Sequence, residues 1–136
     1  MIGNTDAHLK NFAIYIQNGI LKHQTPMYDV VYSSYYKEFN TLALRLDGCE
    51  NLEITEIKPK QIINLGMNGF KLGIDDIIKC VDELVCNIEK AVEEVSKSEI
   101  KAPTVKDKLI QMMIKRKNGT FLGVRNYALK KKNLKN

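Results

Sequence analysis

The sequence predicts an α+β fold, mostly helical, with a β-hairpin near its N-terminus. Two observations predict it. Asn18-Gly19 separates two short apolar runs, and from about Asp75 onward apolar residues recur every three or four positions.

The hairpin comes first in the chain. Phe12-Ala13-Ile14-Tyr15-Ile16 is rich in β-branched and aromatic residues, which suit a pleated strand. Asn-Gly tolerates the positive φ angles of a tight hairpin turn, and Ile20 to Gln24 returns as the second strand, stopped near Pro26. Thr41-Leu42-Ala43-Leu44-Arg45-Leu46 is expected to form a further short strand that ends at the turn pair Asp47-Gly48. Pro59 suits the first turn of a helix over about Lys60 to Leu65, after which Gly66, Gly69 and Gly73 interrupt the pattern.

The remainder reads as helix. Ile77, Ile78, Val81, Leu84, Val85, Ile88, Ala91, Val92 and Val95 form one apolar stripe over about Asp75 to Lys97. Asp75 or Asp76 suits its N-cap or first turn, where a carboxylate complements exposed backbone amides. Pro103-Thr104 opens another helix carrying Val105, Leu109, Met112 and Met113, which Asn118-Gly119 is expected to close. One domain over 1–136 follows: a loop and hairpin over 1–36, a helical part over about 57–118, and a basic tail over 119–136.

Composition narrows the class. With 136 residues, 44% hydrophobic and 27% charged, the chain suits a single globular domain. No apolar run approaches the roughly 20 residues of a membrane span, and no charged-then-apolar leader is present. A cytoplasmic location is expected. Cys49, Cys80 and Cys86 lack paired metal-ligand spacing and are read as reduced structural thiols. The net charge of +5 is uneven: no acidic residue follows Asp107, whereas Lys115, Arg116, Lys117, Arg125, Lys130, Lys131, Lys132 and Lys135 do. Such a tail is either a solvated helix end or a surface for nucleic-acid phosphates, and no aromatic pattern points to base stacking.

Polar chemistry concentrates in the first 29 residues. Asp6-Ala7-His8-Leu9-Lys10-Asn11 has the D-x-x-x-x-N spacing of a kinase catalytic loop. The aspartate of such a loop accepts a substrate hydroxyl proton, and the asparagine reaches a magnesium ion that bridges ATP phosphates. The hairpin is expected to return Asp29 beside Asn11, where a second metal ligand is required.

Gly3-Asn4-Thr5-Asp6-Ala7-His8-Leu9-Lys10-Asn11-Phe12 resembles the G-N-x-D-x-H-x-K-N-F signature of the HipA family of toxin serine/threonine kinases. Thr25-Pro26-Met27-Tyr28-Asp29-Val30 is similar to that family's T-P-x-Y-D-V segment, and Leu42 to Gly48 to its L-A-L-R-I-G-G stretch, with Asp47 in place of the first glycine. The resemblance implies the C-terminal lobe of a protein-kinase-like fold. It implies Asp6 as catalytic base and Asn11 with Asp29 as Mg2+ ligands. His8 either braces the loop or meets phosphate, and Lys10 either balances phosphate charge or is a surface lysine. ATP as phosphate donor, a protein serine substrate such as an aminoacyl-tRNA synthetase, and a HipB-like DNA-binding antitoxin are the implied cofactor and partners.

A kinase also needs a glycine-rich cover over the phosphates and an anchoring lysine. The glycines at 3, 19, 48, 66, 69, 73, 119 and 123 form no G-x-G-x-x-G. In this family the nucleotide-holding lobe precedes the catalytic loop, so the expected reading is a lobe that acts only with a separate ATP-binding part. The alternative is an inactive remnant or binding module that keeps the antitoxin contact. Either way, apolar faces are expected to be exposed on the hairpin and helices.

Overall fold

The structure, a computed structural model, describes residues 3–134. It is α+β and mostly helical, with one two-stranded antiparallel sheet among the described residues. Strands β1 (Ile14–Gln17) and β2 (Ile20–Gln24) flank the Asn-Gly turn. Asn18 and Gly19 take φ of 52° and 74°, the left-handed pair that matches strand twist in a two-residue hairpin. A bulge interrupts the register between Tyr15 and Ile16, and the Tyr15 ring stacks on its partner His23. Every residue of both strands is exposed, including Ile14, Ile16, Ile20 and Leu21. The hairpin thus carries the expected uncovered apolar side chains.

Thr41 to Leu46 is not a strand. It makes only two isolated bridges, Thr41 to Glu53 and Leu46 to Cys49, around a tight turn at Asp47-Gly48. The turn residues behave as their chemistry dictates, with φ of 52° and 78°. What fails is the ladder. Ala43 donates its amide to the Thr5 carbonyl at 2.8 Å, so the segment is held to an irregular loop where no strand can pair.

Helix α1 (Pro59–Asn64) begins at the expected proline and runs on into a π-turn over Leu65–Gly69. Gly66 lies in that turn against α2 (Ile74–Lys97), where an added Cβ would stand 2.8 Å from Ile77 Cδ1. The Asp76 carboxylate accepts the Gly73 amide at 3.1 Å and caps α2, the role expected of Asp75 or Asp76. Helix α3 (Pro103–Arg116) opens at its proline.

Asn118-Gly119 does not end α3. The helix widens into a π-turn over Lys117–Phe121 and continues as α4 (Leu122–Asn133). A glycine stops a helix by turning left-handed, and Gly119 does not. Continuing buries Val124 and Ala128 completely, which outweighs the weak local stop signal. Most of the expected basic tail is therefore a core helix, although Lys135 lies outside the described residues.

The core gathers Ile63 of α1, Ile77 and Val81 of α2, and Val124 and Ala128 of α4. Ile88 and Met113 are buried further along α2 and α3. From the predicted stripe of α2, Ile77, Val81 and Ile88 are buried, whereas Leu84 is exposed. Salt bridges reinforce the packing: Lys117, Arg125 and Lys132 meet Glu89, Asp82 and Asp75 of α2 at 2.8, 2.6 and 2.6 Å. Three of the cations in the uneven charge pattern thus face carboxylates within the fold. Cys49, Cys80 and Cys86 are free and exposed. No described helix is long and apolar enough to cross a membrane.

Candidate functional site

The loop from Gly3 to Asn11 is held by backbone and hydroxyl contacts to the segment after the hairpin. Gly3 has φ of 80°, and a Cβ there would lie 2.1 Å from Ser34 Oγ, so only glycine fits. Thr5 is buried: its amide donates to Ser33 Oγ at 2.7 Å and its hydroxyl donates to the Phe39 carbonyl at 2.6 Å. Ser34 donates its amide to the Gly3 carbonyl at 3.0 Å. These bonds fix the chain immediately before Asp6.

The chain then makes a single 3-10 turn over Leu9–Asn11 that buries Asn11 to 6% exposure. Asn11 Oδ1 accepts the His8 amide at 3.0 Å, closing the turn. Asn11 Nδ2 donates to Asp29 Oδ2 at 2.7 Å. The hairpin between them makes this meeting geometric, because antiparallel strands of equal reach return the chain to the point of departure. At the base of the hairpin Thr25 donates its amide to Ala13 at 2.9 Å.

Asp29 has φ of 53°, a left-handed conformation that aspartate adopts more readily than most non-glycine residues, at a small cost that still makes a demand on its surroundings. Asn4 supplies part of that demand by donating Nδ2 to the Asp29 carbonyl at 3.1 Å. Tyr28 supplies another part, with its hydroxyl donating to the Lys10 carbonyl. Asn4 and Tyr28 are anchoring residues that sequence reasoning quoted without giving them a role. Ser33 and Thr5 complete the support, and nothing in the residue pattern singles out Ser33.

The five residues singled out in the sequence do not all converge. Asn11 and Asp29 are in contact. Asp6 is exposed, makes no side-chain hydrogen bond or ion pair among the described residues, and lines a shallow cleft with Glu38 and Thr41. His8 is half-buried, and its Nδ1 is enclosed without a hydrogen-bond partner among the described residues. The Lys10 side chain is exposed.

The sequence matches the HipA-like C-terminal domain family over residues 1–95. This chain belongs to that family. The match covers the signature loop, the hairpin, Asp29 and most of α2. No curated protein and no solved structure matches the chain. In this HipA-like chain, α3 and α4 lie beyond the matched residues, yet α4 completes the core that α1 and α2 begin.

A magnesium ion is implied by the family resemblance, and the donor set can be tested against it. Mg2+ takes hard oxygen ligands, and is commonly held by one or two carboxylates together with substrate phosphates and water. Asp29 Oδ1 accepts no hydrogen bond among the described residues, and Asn11 Oδ1 keeps a second lone pair beside the His8 amide. Among the described residues no group of three or more His, Cys, Asp or Glu forms an all-protein cage. Asp29 thus keeps one free carboxylate oxygen for a metal shared with phosphate, and Asn11 would join it by turning its oxygen, now on the His8 amide, toward Asp29.

Proposed function

We propose that this chain is the catalytic-loop and metal-site portion of a HipA-like toxin kinase, which transfers the ATP γ-phosphate to a protein serine. The observation that carries this reading is the 2.7 Å contact between Asn11 and Asp29, two residues eighteen positions apart whose side chains meet across a hairpin. Asp6 takes the serine hydroxyl proton as the oxygen attacks phosphorus. Asn11 and Asp29 would hold the metal, which when bound would neutralise charge on the phosphates. His8, half-buried between Asp6 and Asn11, supports the loop through its backbone, and Lys10 stands exposed where an anionic substrate can approach.

Phosphoryl transfer draws most of its rate from positioning and charge neutralisation, so these residues alone are expected to transfer little. The reading includes a separate ATP-binding part, a HipB-like antitoxin and a protein substrate such as an aminoacyl-tRNA synthetase. The exposed apolar strands β1 and β2 offer that ATP-binding part a surface. One detail favours a second reading, a non-catalytic module that keeps the antitoxin contact: Asn11 turns its amide nitrogen, and not its oxygen, toward Asp29.

One experiment separates the two. Transfer from labelled ATP is measured for this chain mixed with the ATP-binding part, beside Asp6→Ala and Asp29→Ala. The kinase reading expects Mg2+-dependent labelling that falls by about 100-fold or more in each variant. Equal labelling by wild type and both variants would sink the assignments, and no labelling by any of them favours the non-catalytic module.

A further inference from the structure

A second cleft adjoins the support of the site above through Ser34, although none of Asp6, His8, Lys10, Asn11 or Asp29 lines it. Its volume is about 400 Å3, within the roughly 300–1,000 Å3 typical of small-molecule sites. It opens between the Lys117–Phe121 π-turn and the segment from Asn40 to Pro59. Ile54 and Met112 give it apolar lining, Thr120 gives it a hydroxyl beside that of Thr55, which reaches Glu53 Oε2 at 3.5 Å, and Lys115 and Arg116 give it two adjacent cations.

Arg116 is the unusual member. It is half-buried, yet its one side-chain hydrogen bond among the described residues runs from Nε to Met112 Sδ at 2.7 Å. A thioether is a weak acceptor, and the remaining guanidinium donors of this cleft-lining side chain have no protein acceptor among the described residues. No carboxylate pairs with Arg116 or Lys115 among the described residues, and no acidic side chain lines the cleft. Burial pushes the guanidinium below its ordinary value, with Tyr32 opposing. Removing a cation from water without a counter-ion is costly. On the continuous helix that carries it, Lys117, Arg125 and Lys132 have carboxylate partners, whereas Arg116 and Lys115, like Lys130, have none among the described residues. What sets Arg116 and Lys115 apart from Lys130 is that both line the cleft.

The π-turn contributes to the cleft wall. It widens the helix at the cleft, and Gly119 leaves open space where a side chain would stand. Single π-turns inside helices recur at functional sites. Two cations with neighbouring hydroxyl donors match a doubly charged group with several acceptor oxygens better than a singly charged carboxylate. Apolar lining on the same cleft asks for an organic body on that group.

We infer that this cleft binds a phosphate monoester, with Arg116 and Lys115 on the phosphoryl oxygens and Ile54 and Met112 against the organic part. The inference does not depend on phosphotransfer by Asp6, and its test measures binding alone.

Isothermal titration of the full chain uses phenyl phosphate, O-phosphoserine and inorganic phosphate. At least one monoester is expected to bind about tenfold or more tightly than inorganic phosphate. Arg116→Gln should weaken that binding by about tenfold or more and Lys115→Gln severalfold, while Lys130→Gln, outside the cleft, leaves it unchanged. If Arg116→Gln fails to fold, Lys115→Gln carries the test, because its side chain is exposed. Preference for O-phosphoserine assigns the cleft to phosphorylated side chains, and preference for phenyl phosphate assigns it to free organic phosphates. Absence of binding at millimolar ligand, equal affinity for inorganic phosphate, or indifference to both cleft substitutions overturns the inference.

Discussion

Substituting Asn11 by alanine removes two hydrogen bonds and leaves a hole in the loop that carries the site. The bond to the Asp29 carboxylate is charge-assisted at 2.7 Å, and the bond from the His8 amide spans 3.0 Å. A hydrogen bond to a charged group contributes about 1.5–3 kcal/mol and a neutral one about 1 kcal/mol. Asp29 is exposed, so water takes over part of its solvation and the lower end applies. Asn11→Ala should therefore cost about 2–3 kcal/mol, which lowers Tm by about 8 °C for a chain of this length.

The sharper quantity is the coupling to Asp29. Alanine at position 29 also suffers the left-handed φ of 53°, which aspartate tolerates better. That penalty occurs with Asn11 present or absent, so it cancels in a double-mutant cycle. Urea denaturation followed by far-ultraviolet circular dichroism of wild type, Asn11→Ala, Asp29→Ala and the double variant should give a coupling of about 1–2 kcal/mol. A coupling below about 0.5 kcal/mol, within ordinary additivity, would refute the contact as an energetic link between loop and hairpin.

Gly66→Ala should destabilise by about 1–3 kcal/mol, because the new Cβ stands 2.8 Å from Ile77 Cδ1 in a packed core. Ile77→Val removes that methyl and should recover part of the loss, whereas a Gly66→Ala melting curve matching wild type would contradict the packing. The hairpin should exchange its amide hydrogens by local opening, since a two-stranded ribbon with every residue exposed has little to hold it. Amides of α2 around Val81 and Ile88 should exchange only on global unfolding, and equal protection in the two regions would disprove the difference.

Local chemistry decided much of this protein before any tertiary contact. Asn18-Gly19 and Asp47-Gly48 turn where they stand because few residues accept positive φ. Pro59 and Pro103 open helices because the missing amide is not needed there. The spacing of Asp6, Asn11 and Asp29 around a hairpin announced that two of the three would meet.

Other features required the fold. Thr41 to Leu46 has strand composition, but a strand exists only if a partner ladder is available, and its neighbour is the irregular loop at Thr5. Asn118-Gly119 reads as a stop, yet the burial of Val124 and Ala128 carried the helix through it. The basic run after Asp107 reads as a charged tail until α2 brings Asp75, Asp82 and Glu89 to Lys132, Arg125 and Lys117. Sequence by itself determined turns, helix starts and the spacing of the signature, because each depends on a few adjacent residues. Tertiary structure alone decided which cations found partners and that Arg116 was left lining a cleft without one, because pairing depends on segments far apart in the chain.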